Sequence, residues 1–446
     1  MRAKTRDLTT GSIPGGLWLF AVPLMLGNVL QQLYNLVDTW VVGRYIGDNA
    51  LAAVGSSYTL LTFLTSVVIG LSLGTGAYIS FAFGRRDSKA IRSGIFMSFL
   101  FIGGLSLVIM AAFYALVGPV IRLLQVPEEL WGDMHCYLVW VFPGFFATFL
   151  YNYVSNVLRG MGNSSAPLVF LAVAVVLNVG LDLYFVITLD MGIRGAAVAT
   201  VIAQYVSGVG LLLYALLACP EYRVGRGDMG WDRERLRHIL SLSGLTCLQQ
   251  SMMNFGILLV QGVVNSFGPV VMAAFAVAVK IDTIAYMPVQ DFGNAFSVFV
   301  AQNYGAGKGE RIRAGIRQGA VSVAVFCGAV STLVCLFAPG LMGVFVDAAN
   351  QETIRAGVEY LRIEGMCYIG IGLLFMLYGY YRAVDKPMMS VVLTVLSLGT
   401  RVLLANVLAP VIGPVGVWAA IPIGWALADV YGVWYHYRRE ESIGCG

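Results

Sequence analysis

A chain of 446 residues in which 58% are hydrophobic and only 12% charged, with a mean hydropathy of +0.79, carries too little charge for a water-soluble globular protein of that length. Its net charge of +4 gives no support to nucleic-acid binding, because it reflects membrane orientation and contact with anionic headgroups. Seven scattered cysteines, none in a CxxC pair, form no disulfide framework and read as small apolar residues.

A bilayer core about 30 Å thick needs roughly 20 mostly apolar residues per helical crossing. Twelve such stretches are predicted in chain order, at about 13–44, 50–82, 93–117, 134–158, 165–188 and 194–218, then 237–266, 271–303, 314–337, 354–381, 387–408 and 414–437. The basic start MRAKTRD leads into an apolar run that passes residue 40 without a small-residue cleavage site, so it reads as the first spanning helix rather than a signal peptide. With both termini inside, 21 of the 28 basic residues fall on the cytoplasmic side and 5 outside, leaving Lys280 and Arg401 within helices. That asymmetry predicts a multi-pass protein of the cytoplasmic (inner) membrane with both ends cytoplasmic.

Sliding the chain against itself until Gly84 falls on Gly305 also places Ile91, Arg92, Gly94 and Ile95 on Ile312, Arg313, Gly315 and Ile316. The same shift brings Gly192, Gly195 and Ala199 onto Gly413, Gly416 and Ala420. Two separated blocks with one offset indicate a duplicated unit. The expected fold is therefore an all-α polytopic membrane protein, twelve transmembrane helices in two pseudo-symmetric six-helix lobes. The amino-terminal lobe is placed at residues 1–222 and the carboxyl-terminal lobe at 223–446, with a basic linker over about 219–236. Six spans per repeat is an even number, so both lobes cross in the same sense, and the substrate path is expected where the repeats meet.

Function is sought where polar groups enter the hydrocarbon, since an ionisable side chain there costs roughly 2.5–3.5 kcal/mol even on the lenient insertion scale. Asp38, Asp182 and Thr200 each sit about six residues inside an external helix end, hence roughly 10 Å below the outer surface. Asn178 lies one turn from Asp182, and Gln31, Asn35 and Asp38 form a stripe on the first helix with Tyr34 beside them. Two carboxylates at one depth with amide and hydroxyl neighbours suit Na⁺ or H⁺. The bland alternative is that each acid only ties its helix to a neighbour.

The segments NVLQQLYNLVDTWVVGRYIGDNALAAVG (28–55), FAFGRRDSKAIRSG (81–94), VLRGMGNSSAP (157–167), NVGLDLYFVI (178–187) and AQNYGAGKGERIRAG (301–315) together resemble the multidrug and toxic compound extrusion (MATE) family of drug/cation antiporters, over nearly the whole chain. The resemblance implies an efflux carrier coupled to H⁺ or Na⁺. It places the family's amino-lobe cation site on Asp38, Asn178, Asp182 and Thr200, and its bending proline on Pro23. One branch of the family adds a Glu on the seventh helix and an Asp on the tenth. Here the seventh offers Gln249 and Gln250, and the middle of the tenth, YIGIGLLFMLYGYY, has no acid, so no second-lobe cation site is expected.

Substrate contacts are expected from Gln31, Tyr34, Asn35, Met253, Asn254, Gln290, Asp291 and Asn294, with Asp291 attracting cations. The polar residues of helix seven (Gln250, Asn254, Gln261, Asn265) and helix eight (Thr283, Gln290, Asn294, Ser297) each share a face, and could equally bond helix to helix. Asp282 near Lys280, Arg401 and Asp429 read as internal pairs or interface residues. HExxH and GxSxG motifs are absent, the histidines are dispersed, and GAGKGE (305–310) lacks the Ser or Thr of a phosphate loop. An enzyme and an ATP-driven pump are thereby disfavoured. The expectation is a monomeric secondary antiporter without cofactors or metal beyond the coupling ion, exporting amphipathic cationic small molecules. A flippase of lipid-linked saccharides is the alternative, but it calls for several basic residues in its interior.

Overall fold

The computed structural model describes residues 5–123 and 127–444, and all of its regular structure is helical. The helices are α1 (Ile13–Tyr45), α2 (Asp48–Gly84), α3 (Ser88–Leu123), α4 (Trp131–Val141), α5 (Gly144–Gly160), α6 (Ser165–Leu183) and α7 (Gly192–Ala218). A second series follows, α8 (Arg233–Asn265), α9 (Pro269–Gly305), α10 (Gly309–Gly343), α11 (Gln351–Gly365), α12 (Tyr368–Ala383), α13 (Pro387–Ile412) and α14 (Pro414–Gly444). Among the described residues, nine single helices are long and apolar enough to span a membrane, and two bent pairs bring the number to 11. The bent pairs are α4 with α5, at 47°, and α11 with α12, at 52°. The predicted spans 134–158 and 354–381 are thus broken rods. The first breaks at Pro143, whose ring removes a backbone donor. The 33-residue α8 supplies the remaining rod; Gln249, Gln250 and Gln261 make it the more polar one. The chain is a multi-pass membrane protein, and residues such as Val176, Leu336 and Val411 present apolar side chains outward as lipid requires.

Packing divides the chain into two compact units, the chain up to Asp7 with Val22–Cys247, and Leu8–Ala21 with Leu248–Gly446. The divisions run through α1, next to Pro23, and through α8. In the first unit the start of α8 lies against α2, where a Cβ on Gly74 would come within 2.4 Å of Ser243 Cα and Thr75 Oγ1 meets Ser243 Oγ at 3.2 Å. In the second unit the segment before α1 is bound by side chains. Leu8 N donates to Gln302 Oε1 at 3.1 Å, and Lys308 Nζ donates to the Thr9 carbonyl at 2.7 Å.

The same internal plan is written into each unit. In the first, α2 packs on α5, α5 on α7, and α6 on α7; in the second, α9 packs on α12, α12 on α14, and α13 on α14. Backbone contact sets the closest of these crossings. A Cβ on Gly160 would meet the Gly76 carbonyl at 2.9 Å, and one on Gly379 would meet the Gly293 carbonyl at 2.4 Å. Left-handed turns recur in step too, at Gly47 and Gly268, Arg86 and Gly307, Gly162 and Asp385, and Gly192 and Gly413. Nearly the same interval separates the members of every pair, so the helix ends keep the duplication even where side chains have diverged. Stacked aromatics fill the cores. Phe113 lies 3.6 Å from Phe142 in the first unit, and Phe275 lies 5.5 Å from Trp418 in the second.

Candidate functional site

In the first unit three helices bring the predicted ion ligands together. Asp38 stands in the last third of α1 and is 8% exposed, Asn178 and Asp182 on α6 are fully buried, and Thr200 on α7 is 5% exposed. Asn178 and Asp182 share a face because four residues make about one turn. Immediately after them the chain widens into a π-helical turn, Tyr184–Thr188, a distortion often found beside functional groups. Tyr34, one turn before Asp38, donates from its hydroxyl to Thr200 Oγ1 at 3.3 Å and ties α1 to α7.

Burial in this cluster is not balanced by hydrogen bonds. Asp38 Oδ1, both oxygens of Asp182, and both polar atoms of the Asn178 amide are buried without a partner. Leaving such atoms unsatisfied costs several kcal/mol in total, at roughly 1–3 kcal/mol for each neutral group and more for a charged one. The cost falls when a cation or proton enters, since the donor set is oxygen-rich and carries two acids. Tyr137, buried on α4, also lies near Asp38, Asp182 and Tyr34. Sequence reading passed over Tyr137 because it sits in an unbroken apolar run; its repeat position offers a signal, since Tyr360 stands at the corresponding place in the second repeat.

The remaining candidates separate. Gln31 is exposed, and Asn35 Nδ2 donates to Tyr58 Oη at 3.4 Å, so of the α1 stripe only Tyr34 turns toward Asp38. In the second unit, Met253 Sδ accepts from Gln249 Nε2 at 2.8 Å, while the side chain of Asn254 lies outside the described residues. Gln290 is half-buried and Asp291 is 4% exposed. Asn294 Oδ1 accepts from Arg382 Nη2 at 3.1 Å, and Ser297 Oγ accepts from Arg382 Nε at 3.2 Å. The polar face of α9 is thus partly engaged in holding a buried guanidinium. Arg382, counted at the sequence level among the basic residues of inside segments, is 5% exposed within the second unit.

The second unit also contains a cavity of about 80 Å³, lined among others by Met253, Asp282, Tyr286, Tyr360, Glu364 and Arg401. Glu364 was overlooked because it precedes the apolar middle of the predicted span 354–381, in the charged stretch QETIRAGVEYLRIEG of α11. Packing of α11 on α9 and α10 buries its last turn.

The MatE family model matches this chain twice, at residues 23–184 and 246–407. The probable multidrug resistance protein YpnP of Bacillus subtilis is 30% identical over 88% of this chain and 88% of its own length. The probable multidrug resistance protein YoeA of the same organism is 27% identical over 98% of this chain and 97% of its own length. The outward-facing structure of a multidrug resistance MATE family transporter of the MOP superfamily superposes with a TM-score of 0.91 at 23% identity, covering 99% of both chains.

Proposed function

From the chain's membership of the MatE family, which makes it a transporter rather than an enzyme, we propose that it is a secondary active antiporter exporting amphipathic, cationic small molecules in exchange for H⁺ or Na⁺. The observation that carries the coupling is the convergence of Asp38, Asn178, Asp182 and Thr200 on one buried pocket whose polar atoms lack partners. A cation or proton in that pocket neutralises the acids. Its release toward one side of the membrane makes the pocket's energy depend on the ion gradient, which is what an exchanger requires. Tyr34, bonded to Thr200, transmits pocket occupancy to α1, and Pro23 supplies the hinge at which that helix can bend. Relatives named for multidrug resistance support the substrate class and leave the flippase reading with no observation in its favour. The protein is assigned to the cytoplasmic membrane with both termini inside. The experiment is export of a cationic dye from proteoliposomes, driven in turn by a proton gradient and by a sodium gradient. Absence of export under both overturns the assignment.

A further inference from the structure

In the second unit the chain enters α1 through a short segment that is held by its main-chain atoms. Leu8 N donates to Gln302 Oε1 at 3.1 Å. The Leu8 carbonyl accepts from Asn303 Nδ2 at 3.2 Å and from Arg311 Nε and Nη2, each at 3.3 Å. Lys308 Nζ donates to the Thr9 carbonyl at 2.7 Å, and Arg311 Nη2 donates to the Thr10 carbonyl at 2.8 Å. Gln302 and Asn303 lie in the last turn of α9, Lys308 in the connection, and Arg311 in the first turn of α10, so one corner of the unit supplies all four side chains. Leu8 is 2% exposed and Thr9 7%, while Thr10 and Gly11 beside them are exposed. Bonds from charged donors are roughly twice as strong as neutral ones, so Lys308 and Arg311 carry most of the grip.

The helix that follows is packed on one side of its proline and exposed on the other. Leu17, Phe20 and Ala21 are buried, and Trp18 lies 5.2 Å from Phe292 and 6.4 Å from Phe326. Beyond Pro23, the side chains of Leu26, Val29, Leu33 and Leu36 are exposed. The division of the chain into packed units falls at the same place, between Ala21 and Val22. A hinge turns a push on one arm into bending only when the other arm is held. Duplication marks the hold as a built feature. The interval that carries Gly84 onto Gly305 also carries Asp7 onto Asp228 and Arg92 onto Arg313. In the first unit Arg92 grips the segment before α8, through Asp228 Oδ2 at 2.8 Å and the Glu221 carbonyl at 3.2 Å. Each repeat thus enters its first helix through a segment bound by basic side chains at the start of α3 or α10.

We propose that residues 8–10 are an anchor strap, and that Lys308 and Arg311 are positioning residues which, through it, hold residues 13–21 of α1 in place so that the helix bends at Pro23. Neither residue belongs to the Asp38–Asp182 pocket. Their grip falls on carbonyls, so it fixes the position of the strap without reading its side chains. Once the strap is released, the packed start of α1 moves with the rest of the helix, and occupancy of the pocket no longer produces a bend. The effect on transport rests on the antiport reading, whereas the strap itself rests on its contacts alone.

The test combines three readouts on full-length protein in proteoliposomes: hydrogen exchange over residues 8–12, equilibrium binding of a cationic dye, and dye export under the gradient that drives the unmutated chain. In the double variant Lys308→Gln, Arg311→Gln, exchange over residues 8–12 should quicken by about tenfold as the charged donors are lost. Export should fall by about tenfold while dye binding stays unchanged, since the step removed is a conformational one. The charge-keeping pair Lys308→Arg, Arg311→Lys should restore both exchange and export. Export that persists while the strap exchanges freely overturns the proposal. Dye binding that falls in parallel with export also overturns it, by making the two residues structural, and so does unchanged exchange in the double variant. Should the unmutated chain export no dye under either gradient, the antiport reading falls, yet quickened exchange confined to residues 8–12 still supports the strap and unchanged exchange still overturns it.

Discussion

At the scale of single residues, what matters is whether a buried polar atom has a partner. Asp38 and Asp182 converge with Asn178 and Thr200, and most of their buried polar atoms have no hydrogen-bond partner within the protein, the arrangement on which the proposed ion coupling rests. Asp38→Asn and Asp182→Asn should therefore each abolish gradient-driven dye export while leaving membrane insertion intact, since an amide is cheaper to insert than an acid. Uphill transport retained by both variants would sink the coupling assignment; loss of folded protein in both would make the acids structural. Thr200→Ala should slow export by about tenfold or less, because one neutral hydrogen-bonding ligand is worth about 1–1.5 kcal/mol. Export rates of the three variants in proteoliposomes check this ranking. Asp291, buried on α9, is expected to favour cations, so Asp291→Asn should weaken export of cationic substrates more than of neutral analogues. Equal effects on the two would return it to packing.

At the scale of elements, helix crossings and anchors carry separable predictions. The α9·α12 crossing lets Gly379 meet the Gly293 carbonyl, with no room for a methyl group. Gly379→Ala should destabilise by about 1–3 kcal/mol, as overpacking does, and lower the melting temperature in detergent. Gly399, on α13, has open space where its Cβ would be, so Gly399→Ala should leave the melting temperature unchanged or raise it. A drop of equal size in both would show that the crossing is not the cause. The linker between the repeats is held by Arg92, whose Nε lies 2.8 Å from Asp228 Oδ2. That guanidinium, with the Gly225 N–H, keeps the Asp228 carboxyl below the usual carboxylate range. Since the folded value is depressed, the contact is fully present above the ordinary carboxylate range and is lost as pH falls through the lowered value. At neutral pH, Arg92→Gln should accelerate hydrogen exchange over residues 225–228, and unchanged exchange would show that the ion pair does not hold the linker.

At the scale of the molecule, orientation is the quantity that the charge asymmetry predicts. Cysteines introduced at 223–235 should escape membrane-impermeant reagents in intact cells and react after permeabilisation. Labelling in intact cells would invert the topology and move the Asp38–Asp182 pocket to the opposite membrane face. The duplication also invites comparison of the two units: one has Asn178 beside two buried acids, whereas the other carries Arg401 at the corresponding position.

Composition and apolar run length alone determined that the chain spans the membrane as helices, because the bilayer sets both the length of a span and its cost in charge. A single recurring interval, from Gly84 to Gly305 and again from Gly192 to Gly413, disclosed the duplication before any coordinates, since helix ends and close crossings constrain residue type at fixed spacings. Asp38 and Asp182 were legible because an acid in an apolar run is conspicuous. Glu364 was not, because it lies in the charged start of the span predicted at 354–381, and only the packing of α11 against α9 buries its carboxyl. Tyr137, apolar in context, likewise became a site residue only when folding set it near two acids. The breaks at Pro143 and after Gly365, and the division of α1 and α8 between packed units, also required the tertiary structure. Hydropathy records the solvent of a segment, but which neighbour a buried polar group meets depends on helices far apart in the chain.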